Sequence, residues 1–193
     1  MRIHLIHGIH ATRPGGNTSR LKPYFEAAGF AVVVHSYGWL PALLARFRNA
    51  AIAETIAGRI EDGDICVGHS NGATIIQIIQ ERHRTLAGAV LVNPALDRDA
   101  HLGHCGWVDV YYNGCDCVVG LARLLVADRW GDLGRVGYQG NDPRFRNIDC
   151  RNTPGMPPVC GHTALFDQAR LTAWGPQIAR NVARRIQSTE GAR

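Results

Sequence analysis

Asp64-Ile65-Cys66-Val67-Gly68-His69-Ser70-Asn71-Gly72-Ala73-Thr74-Ile75-Ile76-Gln77-Ile78-Ile79 joins an apolar run to a stretch of helical periodicity through a Gly-x-Ser-x-Gly turn. The run into Gly68 has the length of a buried strand, and the isoleucines after Gly72 fall at helical spacing. A serine on such a turn stands above the sheet edge at a helix N-terminus. Unpaired N–H groups and the helix dipole there favour developing negative charge. Both flanking glycines are required, because a Cβ on so tight a reversal would strike neighbouring backbone. The five-residue pattern is common by itself. A strand before it and a helix after it make it a nucleophile elbow, with Ser70 as the candidate nucleophile.

Outward from this turn the chain alternates between the same two periodicities. On the N-terminal side, residues 3–6 read as a strand and residues 7–16 as a Gly/Pro-rich loop. A helix capped at Asn17 or Thr18 runs to Ala28, where Gly29 stops it. Residues 30–36, apolar on both faces, read as a buried parallel strand. Residues 39–59 predict a helix in two pieces around 46–49. On the C-terminal side, residues 86–92 and 107–112 are strands ending at Asn93-Pro94 and Asn113-Gly114. Residues 118–126 look helical. Residues 129–158 are loop-rich, with short strands near 135–139 and 145–150. A last helix covers about 168–186, interrupted at Gly175-Pro176, with a frayed tail after Gln187. No repeat or linker divides the chain, so residues 1–193 are expected to form one α/β domain, a mostly parallel sheet with helices on both faces. Ligands of such sheets bind at the carboxyl ends of the strands.

The 193 residues are 46% hydrophobic and 19% charged, which excludes a disordered chain. The net charge is +5, and Lys22 is the only lysine among the cations. The arginines are scattered, so they read as solvated surface charge and not as a nucleic-acid footprint. The first residues read as a strand and not as a leader, and no apolar run reaches bilayer length. A cytoplasmic protein without stable membrane insertion, its six cysteines mostly reduced, is the resulting expectation.

A serine hydroxyl is a poor nucleophile unless a base lies within hydrogen-bond reach. His162, in the glycine-flanked loop before the last helix, is the candidate. His69, although adjacent to Ser70, is turned away by the elbow and reads as a packing residue. The base needs a carboxylate to fix its tautomer. Asp116, just past the strand at 107–112, can supply it, as can Asp97 after the strand at 86–92. Asp109 lies within a strand at a surface or edge position, and Asp128 and Asp132 come later.

Ser70, Asp116 and His162 follow one another in the serine, acid, histidine order of the α/β-hydrolases. With His7-Gly8 after the first strand and the turn at residues 68–72, the chain resembles a small esterase- or lipase-type α/β-hydrolase. That resemblance implies the α/β-hydrolase fold and cleavage of a small-molecule or lipid-like ester through an acyl-enzyme on Ser70. His162 would serve as base and Asp116 as acid, without metal or organic cofactor. It also implies an oxyanion hole from the backbone N–H groups of Asn71 and Ile9. Thioester or amide hydrolysis and acyl transfer stay open on the same residues, as does a non-catalytic binding protein on this fold.

Only twelve residues, 95–106, follow the strand at 86–92 where larger relatives insert a lid, so no helical cap domain is expected. Trp39, Leu40, Trp107, Tyr111 and Trp130 are candidates for an acyl pocket. His101, His104 and Cys105, Cys115 and Cys117, and Cys150, Cys160 and His162 form Cys/His groups, but they lack the paired spacing of zinc sites. A Cys150–Cys160 disulfide would brace the loop before His162, but a reducing cytosol disfavours it, and whether the two pair is left open. Cys66 reads as a core thiol.

Overall fold

The computed structural model describes residues 1–119 and 130–191. The helix expected at 118–126 lies almost wholly outside them, as does Asp128. Six strands form one parallel sheet: β1 (Arg2–Ile6), β2 (Ala31–His35), β3 (Ile65–His69), β4 (Gly88–Val92), β5 (Val108–Tyr112) and β6 (Phe145–Asp149), in the order β2-β1-β3-β4-β5-β6. A 3₁₀ turn (Thr18–Leu21) leads into α1 (Lys22–Ala27). Among the described residues the chain also forms α2 (Ala42–Ala57), α3 (Asn71–Arg82), the short α4 (Leu133–Val136) and α5 (Gln168–Glu190).

Strand alternation splits the core into two layers. Ile6, Cys66, Leu91 and Val110 face α2 and α3, meeting Ile56, Ile75, Ile76 and Ile79. Ile3, Leu5, Val67 and Val90 face α1 and α5, meeting Phe25, Trp174, Ile178 and Val182. β1 connects to β2 on one side, while β3 lies on its other side. The topological switch therefore falls at the carboxyl ends of β1 and β3, where an open α/β sheet forms its ligand crevice.

Several sequence expectations are corrected. β2 is apolar but forms a half-exposed edge of the sheet, because α1 and α2 cover it only in part. α2 is continuous; Ala45, Asn49, Ala53 and Ile56 keep one unbroken inward face through the expected break. Residues expected to form a strand near 135–139 begin instead inside α4, which ends at Gly137 with φ 75°. α5 runs unbroken through Pro176 and on to Glu190. Gly175 marks a contact there, since a Cβ would lie 2.5 Å from the ring of Tyr24 on α1. Asp109 is fully buried and not at the surface, paired with Arg146 of β6 and Arg185 of α5. Cys150 is a buried free thiol; the disulfide joins Cys115 and Cys160, whose Cα atoms lie 5.1 Å apart. The chain after β6 turns so that Cys160 meets the loop after β5, a crossing that sequence distance conceals.

Candidate active site

Ser70 sits between β3 and α3 with φ 55° and ψ −123°, a conformation that side chains rarely adopt. The surroundings hold it there. Its N–H donates to Val92 O of β4 (3.1 Å), and its carbonyl accepts from the N–H groups of Ala73 (3.0 Å) and Ala95 (3.2 Å). The glycines make the turn feasible. A Cβ on Gly72 would lie 2.3 Å from Ile6 O, and one on Gly68 would lie 2.6 Å from Ile76 Cδ1. Gly8 belongs to the same arrangement, since its added Cβ would come within 2.9 Å of Ser70 Cβ. The β1 loop can therefore lie against the serine only as glycine.

His162 and Asp116 meet across two loops that are far apart in the chain. The Nδ1–H of His162 donates to Asp116 Oδ2 at 2.8 Å, leaving Nε2 as the other ring nitrogen. Asp116 is fully buried; its Oδ2 also accepts from Asn93 Nδ2 (2.9 Å) and its Oδ1 from Val119 N–H (3.2 Å). Asp97, the other carboxylate considered for this role, is exposed and lines a separate depression with Asp99 and His101. The loop that carries His162 is pinned independently. Gly161 N–H donates to Asn113 Oδ1 (3.2 Å), and Gly161 O accepts from Asn93 and Asn113, each at 3.3 Å. The Cys115–Cys160 disulfide ties the residue before Asp116 to the residue before Gly161.

Ser70 and His162 line one cavity of about 710 Å³, together with Gly8, Ile9, His69 and Trp130. No hydrogen bond joins Ser70 Oγ to His162 among the described residues; such contacts commonly tighten only when substrate is present. Asn71 follows the serine as the first residue of α3, so its backbone N–H has no acceptor within the helix. Its side chain is locked by a reciprocal amide pair with Asn49 (2.8 and 2.9 Å) and by Trp130 Nε1–H (3.0 Å). Ile9 lies on the β1 loop across the cavity, and His10, next to it, is held at φ 54°.

Burial keeps three histidines at this end of the sheet neutral. It lowers His7, whose Nδ1–H donates to Gly8 O (2.6 Å) while Nε2 accepts from Tyr37 N–H (3.2 Å). This neutral tautomer fixes the start of the β1 loop. Burial, and then the charge of neighbouring His162, push His69 down to about 3. His69 Nε2–H donates to His162 O (3.0 Å) and its ring packs on Phe166, a supporting position for the His162 loop. His35 lies farther away at the end of β2, lowered to about 4 by burial, His4 and Arg59.

Of the five residues expected to form an acyl pocket, Trp130 lines the cavity. Leu40 packs behind it with Ala45 and Ala95. Trp39 is exposed, stacked on His10. Trp107 and Tyr111 belong to the core beneath α5, because the pleat turns them away from the cavity. Asn49, Asn93 and Asn113 carry no sequence signal of their own. Asn93-Pro94 and Asn113-Gly114 mark loop starts, and only that placement at strand ends could have drawn notice to two of them.

Comparison with solved structures agrees with this architecture. A protein of the α/β-hydrolase superfamily from Xanthomonas campestris pv. campestris superposes with a TM-score of 0.57 at 16% identity, covering 95% of this chain and 98% of that one. An extracellular α/β-hydrolase from a Paenibacillus species gives 0.55 at 11% identity, with the same coverage. A pyrethroid hydrolase from Sphingobium faniae gives 0.54 at 14%, covering 95% and 96%. The chain has the α/β-hydrolase fold. No protein-family model matches it, and no curated protein matches it in sequence. Identities this low carry the fold alone, so the chemistry has to be reasoned from the side chains.

Proposed function

We propose that the protein is a serine hydrolase that cleaves a carboxylic ester of a small, largely apolar molecule through an acyl-enzyme. The observation that carries this reading is the His162–Asp116 hydrogen bond, with His162 and Ser70 lining one cavity. His162 Nε2 takes the proton from Ser70 Oγ as the oxygen attacks the ester carbonyl. Asp116 holds the ring in the Nδ1–H tautomer and stabilises the imidazolium that forms. The resulting oxyanion is met by the N–H groups of Asn71 and Ile9, each donor worth about 3 kcal/mol in the transition state. His162 then protonates the departing alcohol. Water, activated by the same ring, attacks the acyl group and regenerates Ser70. Apart from that water, every group the route invokes belongs to the protein. The cavity walls of Ile9, Ala42, Ala95, Val119 and Trp130 favour an apolar acyl or alcohol portion.

The test is labelling with a fluorophosphonate together with turnover of p-nitrophenyl esters of increasing chain length. Ser70→Ala is expected to abolish both. His162→Ala is expected to lower kcat by at least ~10³-fold, and Asp116→Asn by roughly 10²- to 10⁴-fold. A wild-type protein that neither labels nor turns over any ester overturns the proposal in favour of a binding protein on this fold. Faster turnover of thioesters or amides than of esters would keep the machinery and change the substrate class.

A further inference from the structure

Six large hydrophobic side chains are about half exposed or more among the described residues: Leu43 (68%), Leu44 (49%) and Phe47 (66%) stand on the first two turns of α2, Trp39 (61%) just before it and Val118 (54%) on the cavity wall, with Met1 apart from them. α2 already buries Ala45, Asn49 and Ala53 on its inward side, Asn49 against Asn71 of α3, yet its first two turns also carry Leu43, Leu44 and, between Arg46 and Arg48, Phe47 on the exposed side. A helix covered only by water has no use for that second face. The position is specific: Ala42 and Val118 line the cavity, and the Trp39 ring stacks on His10 of the same wall at 5.3 Å.

We propose that this face docks on a lipid surface with anionic headgroups, turning the cavity mouth toward the bilayer. Charge distinguishes this partner from the others. Residues 27–53 contain no carboxylate, while Arg46 and Arg48 project from the same turns, and the whole chain carries +5. The Arg46 guanidinium lies 4.5 Å from the centre of the Phe47 ring, so it can rise to headgroup phosphates while the ring enters the acyl boundary. A second copy of the chain fits poorly, because a two-fold contact here would oppose arginines with no carboxylate in the segment to answer them. Delivery of lipid esters into the cavity rests on the hydrolase reading; docking itself does not.

Co-sedimentation of the protein with vesicles of phosphatidylcholine, with and without one-third phosphatidylglycerol, tests the proposal. Binding is expected to the anionic vesicles and to weaken with salt. The double variant Leu43→Ser/Phe47→Ser is expected to bind at least ~10-fold less well, since each burial is worth well over a factor of ten. Arg46→Gln/Arg48→Gln is expected to lose about fivefold per arginine and to level the two vesicle types. Both variants are expected to keep wild-type circular dichroism, thermal midpoint and labelling by fluorophosphonate in free solution. Wild-type labelling without vesicle binding overturns docking alone, and vesicle binding without labelling overturns the hydrolase reading alone. Equal binding to both vesicle types overturns the preference for anionic headgroups, and a dimer that Phe47→Ser dissolves overturns docking.

Discussion

Asn93 combines three features seldom found in one side chain: full burial, a φ of 44°, and a carboxamide donating to both Asp116 and Gly161 O. Because both partners are acceptors, Nδ2 must face them. Oδ1 then lies buried without a partner among the described residues. The residue thus gives up hydrogen bonding of its own to hold Asp116 and the His162 loop together. Asn93→Gly keeps the backbone free to adopt the positive φ while removing the amide. The expected outcome is a folded protein whose kcat for p-nitrophenyl esters falls about tenfold with KM little changed, as for a lost hydrogen bond to a charged group. An unchanged kcat would show that Asp116 is held well enough by Val119 N–H and His162. Asn49 is the matching case at the serine. Asn49→Ala leaves the buried amide of Asn71 half satisfied, and the urea midpoint is expected to drop by the equivalent of about 1–3 kcal/mol.

The loops after β5 and before α5 depend on a covalent element. Joining Cys115 to Cys160, 45 residues apart, restricts the unfolded chain and is worth roughly 2–4 kcal/mol. It also fixes the separation of Asp116 and His162 from the side opposite their hydrogen bond. The double variant Cys115→Ser/Cys160→Ser is expected to melt several degrees lower and to lose activity more than Cys117→Ser, whose thiol is exposed and free. Equal activity in the two would mean that the Asn113–Gly161 bonds suffice to hold the His162 loop. The Asp109–Arg146–Arg185 cluster does comparable work for α5, linking β5, β6 and the helix through one buried carboxylate. Sequence could not reveal it, since a strand aspartate signals an edge until two distant arginines are brought over it. Asp109→Ala removes the buried carboxylate and leaves the two part-exposed arginines to water, with an expected loss of about 1–3 kcal/mol in chemical unfolding.

For the molecule as a whole, buried neutral histidines set the acid limit of stability. His69 and His35 stand at about 3 and about 4 when folded, below the 6.5 of an unfolded histidine. The unfolded chain therefore takes up these protons first as pH falls. The stability the neutral rings contribute is complete above about pH 6.5 and is lost as pH drops toward 4 and 3, each tenfold difference in proton affinity between the two states amounting to about 1.4 kcal/mol. Asp64 acts lower down. Burial opposes its charge, but the N–H of Glu61, His4 and Arg2 hold it at about 2, so its contribution is lost only between roughly pH 4 and 2. Urea midpoints are expected to fall continuously from pH 6.5 downward, less steeply in a His35→Gln variant. A flat profile between pH 7 and 5 would contradict this account.

Most of the frame is legible in the sequence, and for a local reason. The turn at residues 68–72, the strands on either side and the order of Ser70, Asp116 and His162 depend on neighbours in sequence: periodicity, glycine geometry and loop ends. Even α2 and α5 are visible there, although the break expected at Gly175-Pro176 is instead the place where Tyr24 presses on the helix. The rest depends on what crosses the chain. Which cysteine pairs with Cys160, which carboxylate meets His162, and which amides hold Asn71 and Gly161 are set by contacts between segments 22 to 68 residues apart. Sequence determined that a serine would stand on a strained turn above a parallel sheet. Only the tertiary structure decided what surrounds it, because burial and hydrogen-bond partnership belong to positions in space and not to positions in the chain.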